Sequence, residues 1–202
     1  MKPMTIVAAT RNPGKIREIR LLLAQIPVRL VGLDEYPDAG EIEETGSTFV
    51  ENAELKATGY ARLTGEMAVS DDSGLVVDAL AGAPGVQSAR YAGAGASDAE
   101  RIRKLLDEIG SADERSARFV CAISVADRNG RILCSVEGKC EGRIALVPTG
   151  ENGFGYDPVF IPTGFSRSFG ELPDEVKSQI SHRADASRKI MRFFADFWGN
   201  RT

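Results

Sequence analysis

The stretch Thr5-Ile6-Val7-Ala8-Ala9-Thr10-Arg11-Asn12-Pro13-Gly14-Lys15 decides the fold. Its first five residues lack polar alternation, which suits a strand covered on both faces of a sheet. The run then breaks, and a helix is expected from residue 15. Ile16, Ile19, Leu22, Leu23 and Ile26 recur at helical spacing, while Lys15, Arg17, Glu18 and Arg20 take the other positions. A strand that turns straight into a helix makes a place for an anion: the first amide N–H groups, the helix dipole and the Lys15 ammonium all favour negative charge there. The segment is not a P-loop, because the first glycine is missing and Ile16 stands where Ser or Thr would hold magnesium. The same residues also make an ordinary Asn-Pro-Gly turn between strand and helix, so the choice rests on the rest of the chain.

With 202 residues and 43% hydrophobic content, the chain can bury a substantial core as one domain, residues 1–202, or as two intimate lobes. Strand-like and helix-like segments alternate, which points to an α/β fold. Thr48 and Glu51 form a capping box for a helix expected to run to about Leu63 and stop at Gly65. Ser97 and Glu100 repeat that signature ahead of a helix ended by Gly110. Phe119 to Ala126 and Arg131 to Val136 read as strands joined at Asn129-Gly130, a hairpin signal that makes the sheet mixed.

A formal charge of −4 argues against a general nucleic-acid or membrane-surface binder. An acidic protein that takes a polyphosphate must do so locally, and a divalent cation reconciles acidic side chains with phosphate in one cleft. No stretch approaches the ~20 apolar residues of a membrane span. Cys121, Cys134 and Cys140 lack metal-ligand spacing and read as reduced thiols, so a cytoplasmic location is expected.

Four further clusters carry chemistry. Ser70-Asp71-Asp72-Ser73-Gly74 sets two carboxylates inside buried-strand sequence, where desolvation demands a cation or hydrogen bonds. If the pair stays extended, only one of the two faces a given cleft. Asn52 and Lys56 share a helix face behind the acidic run Glu41 to Glu44. Gly153-Phe154-Gly155-Tyr156-Asp157 offers a ring for stacking and a carboxylate on a permissive backbone. It fails the dinucleotide fingerprint, as does Gly93-x-Gly95, which meets Asp98 where a glycine belongs. Lys177 precedes Ser181-His182-Arg183, where Ser181 looks like an N-cap and two basic residues oppose the dipole unless an electron-rich partner is present. His182 is the only histidine, which excludes a multi-histidine metal site.

Together the segments T-R-N-P-G-K, E-E-T-G, E-N-A-x-L-K-A, S-D-D-S-G-L, G-A-P-G-V-x-S-A-R-Y, G-F-G-Y-D-P and S-H-R resemble, in order and over nearly the whole chain, the Ham1/RdgB inosine triphosphate pyrophosphatase family. The resemblance implies an elongated mixed β-sheet flanked by helices, in two lobes with a central cleft, as in the Maf/Ham1-like fold. It implies a Mg2+-dependent homodimeric enzyme that hydrolyses ITP, dITP and XTP to the monophosphate and pyrophosphate, with no nucleic-acid or membrane partner. Carried over residue by residue, Thr10, Arg11, Asn12, Pro13, Gly14 and Lys15 would hold the triphosphate with Lys56. Asp72 would be the catalytic carboxylate and, with Glu43, a metal ligand. Ser73 would touch substrate, and Phe154, Gly155, Tyr156, Asp157, Lys177, His182 and Arg183 would receive the base.

Overall fold

The computed structural model describes residues 4–24 and 26–199. Six strands form one mixed sheet in the order β2-β1-β3-β4-β5-β6. β1 (Met4–Ala8) pairs in parallel with β2 (Val28–Val31) on one side and with β3 (Met67–Val77) on the other. Both crossovers from β1 to its parallel neighbours contain a helix, as parallel pairing requires: α1 (Pro13–Leu22) leads to β2, and α2 (Phe49–Thr64) leads to β3. α3 (Asp98–Ile109) precedes β4 (Ser116–Ala126) and β5 (Ile132–Ile144), and β5 pairs antiparallel with β6 (Phe160–Pro162). α4 (Asp174–Ile180) and α5 (His182–Gly199) end the described chain. Among the described residues no helix is long and apolar enough to cross a membrane.

Local chemistry explains the element ends. Thr48 Oγ1 accepts from the Glu51 amide while the Glu51 carboxylate accepts from the Thr48 amide, and Gly65 closes α2 at φ +70°. Ser97 and Glu100 repeat that box at α3. Both strands around Asn129-Gly130 are longer than their apolar runs predict, because ladder pairing carries them through half-exposed Glu137 and exposed Lys139.

The chain divides into two compact units, and the division falls inside β3, β4, β5 and α5. The first comprises Met1–Asp72, Ala122–Glu137 and Ala186–Thr202. Its core gathers Val7, Val31, Leu33, Ala57, Tyr60, Ala61, Ala68 and Ala126. Ala53, Ala57 and Ala61 are fully buried along one face of α2, and these small side chains let the helix backbone lie close to the strands. The second unit, Ser73–Cys121 with Gly138–Asp185, is built on larger side chains. Leu75, Leu105, Ile144, Phe160, Phe169 and Leu172 form its centre, and Phe160 packs between Phe119 and Phe169 at centroid distances of 4.6 and 5.5 Å.

Candidate active site

In the first unit the end of β1 creates the site. Ala9 gives the last rung to β3, its amide donating to the Val69 carbonyl at 2.8 Å. Two residues further on, the same edge of β3 presents the Asp71 carbonyl, and β1 has already turned away. Two ammonium groups take the missing strand's place: Lys15 Nζ donates to that carbonyl at 3.2 Å and Lys56 Nζ at 3.0 Å. Each lysine also pairs with a carboxylate of the adjacent aspartates. Lys15 reaches Asp71 Oδ1 at 2.5 Å, and Lys56 reaches Asp72 Oδ1 at 3.0 Å. Lys56 is therefore a buried cation, 8% exposed, and not the surface charge that lysine usually is.

The acidic segment before α2 is tied to the same cluster. Asn52 Oδ1 accepts the Gly46 N–H at 2.8 Å and clamps the segment against the helix. Glu44 then lies 2.7 Å from Lys56 Nζ, so Asp72 and Glu44 share one cation. Glu43, the expected metal ligand, is exposed. Sequence reading missed Glu44 because two adjacent glutamates in an irregular segment carry no periodicity that says which one turns inward.

Burial pushes the Asp72 carboxyl above its ordinary range, and the neighbouring Lys56 offsets this only in part. Burial pulls Lys56 the other way, but Asp72 and Glu44 outweigh it and hold the ammonium protonated. Among the described residues no three His, Cys, Asp or Glu side chains cluster as a complete metal cage. The donor set still fits a hard cation of the magnesium kind, which is commonly held by one or two carboxylates together with substrate phosphates. Asp72 is the under-compensated buried carboxylate, and Glu44 is the second oxygen donor beside the same ammonium.

The Thr10 to Lys15 segment departs from its expected use in one respect. Asn12 caps α1 with its own side chain, Oδ1 accepting from the Gly14 and Lys15 amides at 2.9 and 3.2 Å. The N–H groups that the sequence offers to an anion are thus engaged by Asn12, and a phosphate would have to displace that oxygen. Thr10 Oγ1 accepts the Asn12 amide at 3.2 Å, and Arg11 donates to the Ala39 carbonyl at 3.0 Å. Pro13 opens the helix, and its side chain lies outside the described residues.

The second unit begins at Ser73, the residue after Asp72 in β3. Ser73 Oγ accepts from the Arg183 guanidinium at 2.8 Å. His182 and Arg183 open α5 and are both buried, so they are not a solvated surface pair. Ser181 Oγ caps them by accepting the Ala184 amide at 3.2 Å. An aromatic ring lies against each of the two side chains. His182 stacks on Phe119 at 4.8 Å, and Arg183 lies 5.4 Å from the centre of the Phe154 ring.

Phe154 stands 43% exposed on the glycine-rich loop, with Lys177 Nζ 4.8 Å from its ring centre. Lys177, carried by α4, also pairs with the buried Asp157 carboxylate. Asp157 Oδ2 accepts the Phe154 amide at 2.8 Å, closing the loop on itself. Burial raises the Asp157 carboxyl, against the pull of Lys177. Gly155 lies within the loop, and buried Tyr156 donates its hydroxyl to the Ser88 carbonyl at 2.9 Å. The second unit thus gathers a presented ring, two cations on it and a buried carboxylate, a set suited to a flat heterocycle with acceptor edges.

Comparison with known proteins gives concordant results. A sequence model of the Ham1 family matches residues 6–193. The dITP/XTP pyrophosphatase of Geobacillus kaustophilus is 51% identical over 187 residues, covering 92% of this chain and 91% of that protein. The dITP/XTP pyrophosphatase of Streptococcus pyogenes is 50% identical over 193 residues, and the match spans 94% of this chain but 58% of that longer protein. Among solved structures, a HAM1 protein from Coxiella burnetii superposes with a TM-score of 0.88 at 42% identity, covering 96% of this chain and 99% of that one.

Proposed function

The chain belongs to the Ham1 family, and from that membership and the charge cluster around Asp72 we propose that it is a nucleoside triphosphate pyrophosphohydrolase. Its substrates are dITP, XTP and ITP, and its products are the monophosphate and pyrophosphate. The observation that carries this reading is a buried carboxylate with two ammonium groups at its strand, Lys15 and Lys56.

Release of pyrophosphate requires water to attack the α-phosphorus while the bond to the bridging oxygen of the β-phosphate breaks. Asp72 orients that water and accepts its proton at a carboxylate oxygen, a task suited to a carboxyl raised above its ordinary range. Lys15 and Lys56 neutralise the phosphate chain, with Thr10, Arg11, Asn12 and Gly14 lining its path. Mg2+ is the expected cofactor, held by Asp72 with a carboxylate of the Glu43-Glu44 pair, and when bound it supplies charge neutralisation at the phosphoryl oxygens.

Phe154 stacks the base, and Ser73, Gly155, Tyr156, Asp157, Lys177, His182 and Arg183 surround it. Cationic donors favour a 6-keto acceptor over the 6-amino group of adenine, which would set donor against donor. Guanine carries a 2-amino donor where xanthine carries an acceptor oxygen, so donors facing that edge would disfavour it, and equal turnover of GTP and XTP would defeat that account. A homodimer and a cytoplasmic site of action, where nucleotide pools are found, belong to the same proposal; light scattering tests the first.

The direct experiment is a panel of nucleoside triphosphates with and without Mg2+, scored for pyrophosphate against orthophosphate. Pyrophosphate from dITP and XTP, with little from ATP and GTP and none after chelation, is the expected result. Orthophosphate as the product, or no turnover of any purine triphosphate, overturns the reading.

A further inference from the structure

The Gly93 to Asp98 stretch, which fails as a dinucleotide fingerprint, has a use within the second unit. Asp98 is the first residue of α3, and its Oδ2 accepts the Gly155 N–H at 2.7 Å. Gly155 sits in the middle of the Phe154 to Asp157 loop, in the left-handed region at φ +64°. A carboxylate that accepts a backbone N–H makes a charge-assisted bond, stronger than a neutral one. Asp98 is itself held from the other side. Arg101, one turn along α3, pairs with it while donating to the Ala96 carbonyl at 2.7 Å and the Ala89 carbonyl at 2.9 Å.

The second tether of the loop runs to the same neighbourhood. The Tyr156 hydroxyl donates to the Ser88 carbonyl, and Ser88 Oγ accepts the Leu75 amide at 2.9 Å while donating to the Gly85 carbonyl at 2.6 Å. Adjacent loop residues are thus tied to two separate stretches of chain, Tyr156 to Ser88 and Gly155 to Asp98.

We propose that Asp98, braced by Arg101, is a positioning residue that holds the Phe154 to Asp157 loop in its base-receiving conformation. The assignment rests on the proposed nucleotide-hydrolysing function. Asp98 acts through the loop backbone: loosening Gly155 frees the neighbouring Phe154 ring, which must be presented at a fixed angle to stack. The Asp98 side chain is 43% exposed, so the tether is moderate in strength.

Asp98→Ala is expected to raise KM for dITP by about three- to tenfold and to leave kcat within about twofold, because the α-phosphorus chemistry lies elsewhere in the chain. Asp98→Asn retains an oxygen that accepts the Gly155 N–H and restores most of the KM. Amide hydrogen exchange measured without nucleotide should speed up at residues 153–157 in Asp98→Ala and return towards the wild-type rate in Asp98→Asn. Arg101→Met reaches the same tether from the other side and gives a smaller shift of the same sign. Wild-type KM and exchange in Asp98→Ala overturn the proposal, as does an Asp98→Asn enzyme as impaired as Asp98→Ala. The exchange experiment is independent of turnover. If the wild-type chain releases no pyrophosphate, the functional reading fails and the tether is still tested.

Discussion

Replacing Lys56 with Met removes the ammonium from a carboxylate that cannot leave the interior. Lys56 and Asp72 are each 8% exposed, and Lys56 Nζ also serves the Asp71 carbonyl and the half-buried Glu44. Breaking a buried ion pair from one side costs about 3–5 kcal/mol, because the remaining charge is stranded. Lys15 also acts on Asp72, and Glu44 is open to water, so the lower end applies, about 3 kcal/mol. For a domain of this size that lowers Tm by about 6–12 °C.

The pH dependence follows from the sign of the Asp72 shift. Its folded pKa lies above the unfolded one, so the stabilisation it gives is fully present in acid and lost as pH rises through the folded value. Without Lys56 that value rises further, and the deficit of Lys56→Met should be small near ~pH 4 and largest at neutral pH and above. Thermal unfolding followed by circular dichroism at several pH values measures this. The double variant Lys56→Met/Asp72→Asn, which removes the stranded charge, should recover most of the lost Tm. If the double variant is as unstable as Lys56→Met, the stranded-charge account is wrong and the loss comes from packing alone.

Asp72→Asn should reduce kcat by about 10²–10⁴, the range for loss of a general base, while nucleotide binding followed by calorimetry persists. Wild-type turnover in that variant would remove the catalytic role. Lys15→Ala should mainly raise KM for the triphosphate, and an unchanged KM argues that Lys15 only balances Asp71. Gly153→Ala should raise KM for dITP by at least about tenfold. A Cβ there lies 2.0 Å from Asp157 Oδ2 on a backbone at φ +77°, so the carboxylate that holds Phe154 and Lys177 must move. Gly155→Ala, with nothing within 4 Å of the added carbon, should be milder, and the reverse order of effects refutes this geometry.

Much of the molecule was legible because its signals are local. The apolar run at Thr5, the two capping boxes and the Asn129-Gly130 turn each act within a few residues, and β1, α2, α3 and the strands flanking that turn appear where those signals put them. The ordered motifs likewise brought Asp72, Lys56, Phe154 and Arg183 into view as chemical residues. Their partners depended on contacts between distant segments. The Asp71 carbonyl is open to Lys15 and Lys56 because β1 ends one rung too early to cover it, a matter of strand register. Glu44 meets Lys56 in a segment that Asn52 clamps to its helix, and the amides of Gly14 and Lys15 are claimed by Asn12, a competition between side chain and ligand that spacing does not resolve. Asp98 looked like a failed glycine in a motif until the fold set it beside an amide 57 positions away. Periodicity and capping determine what each segment becomes, because those energies are summed over neighbours in sequence. Which lone pair meets which proton is decided only when the segments pack, since a hydrogen bond is lost within about an ångström of misplacement.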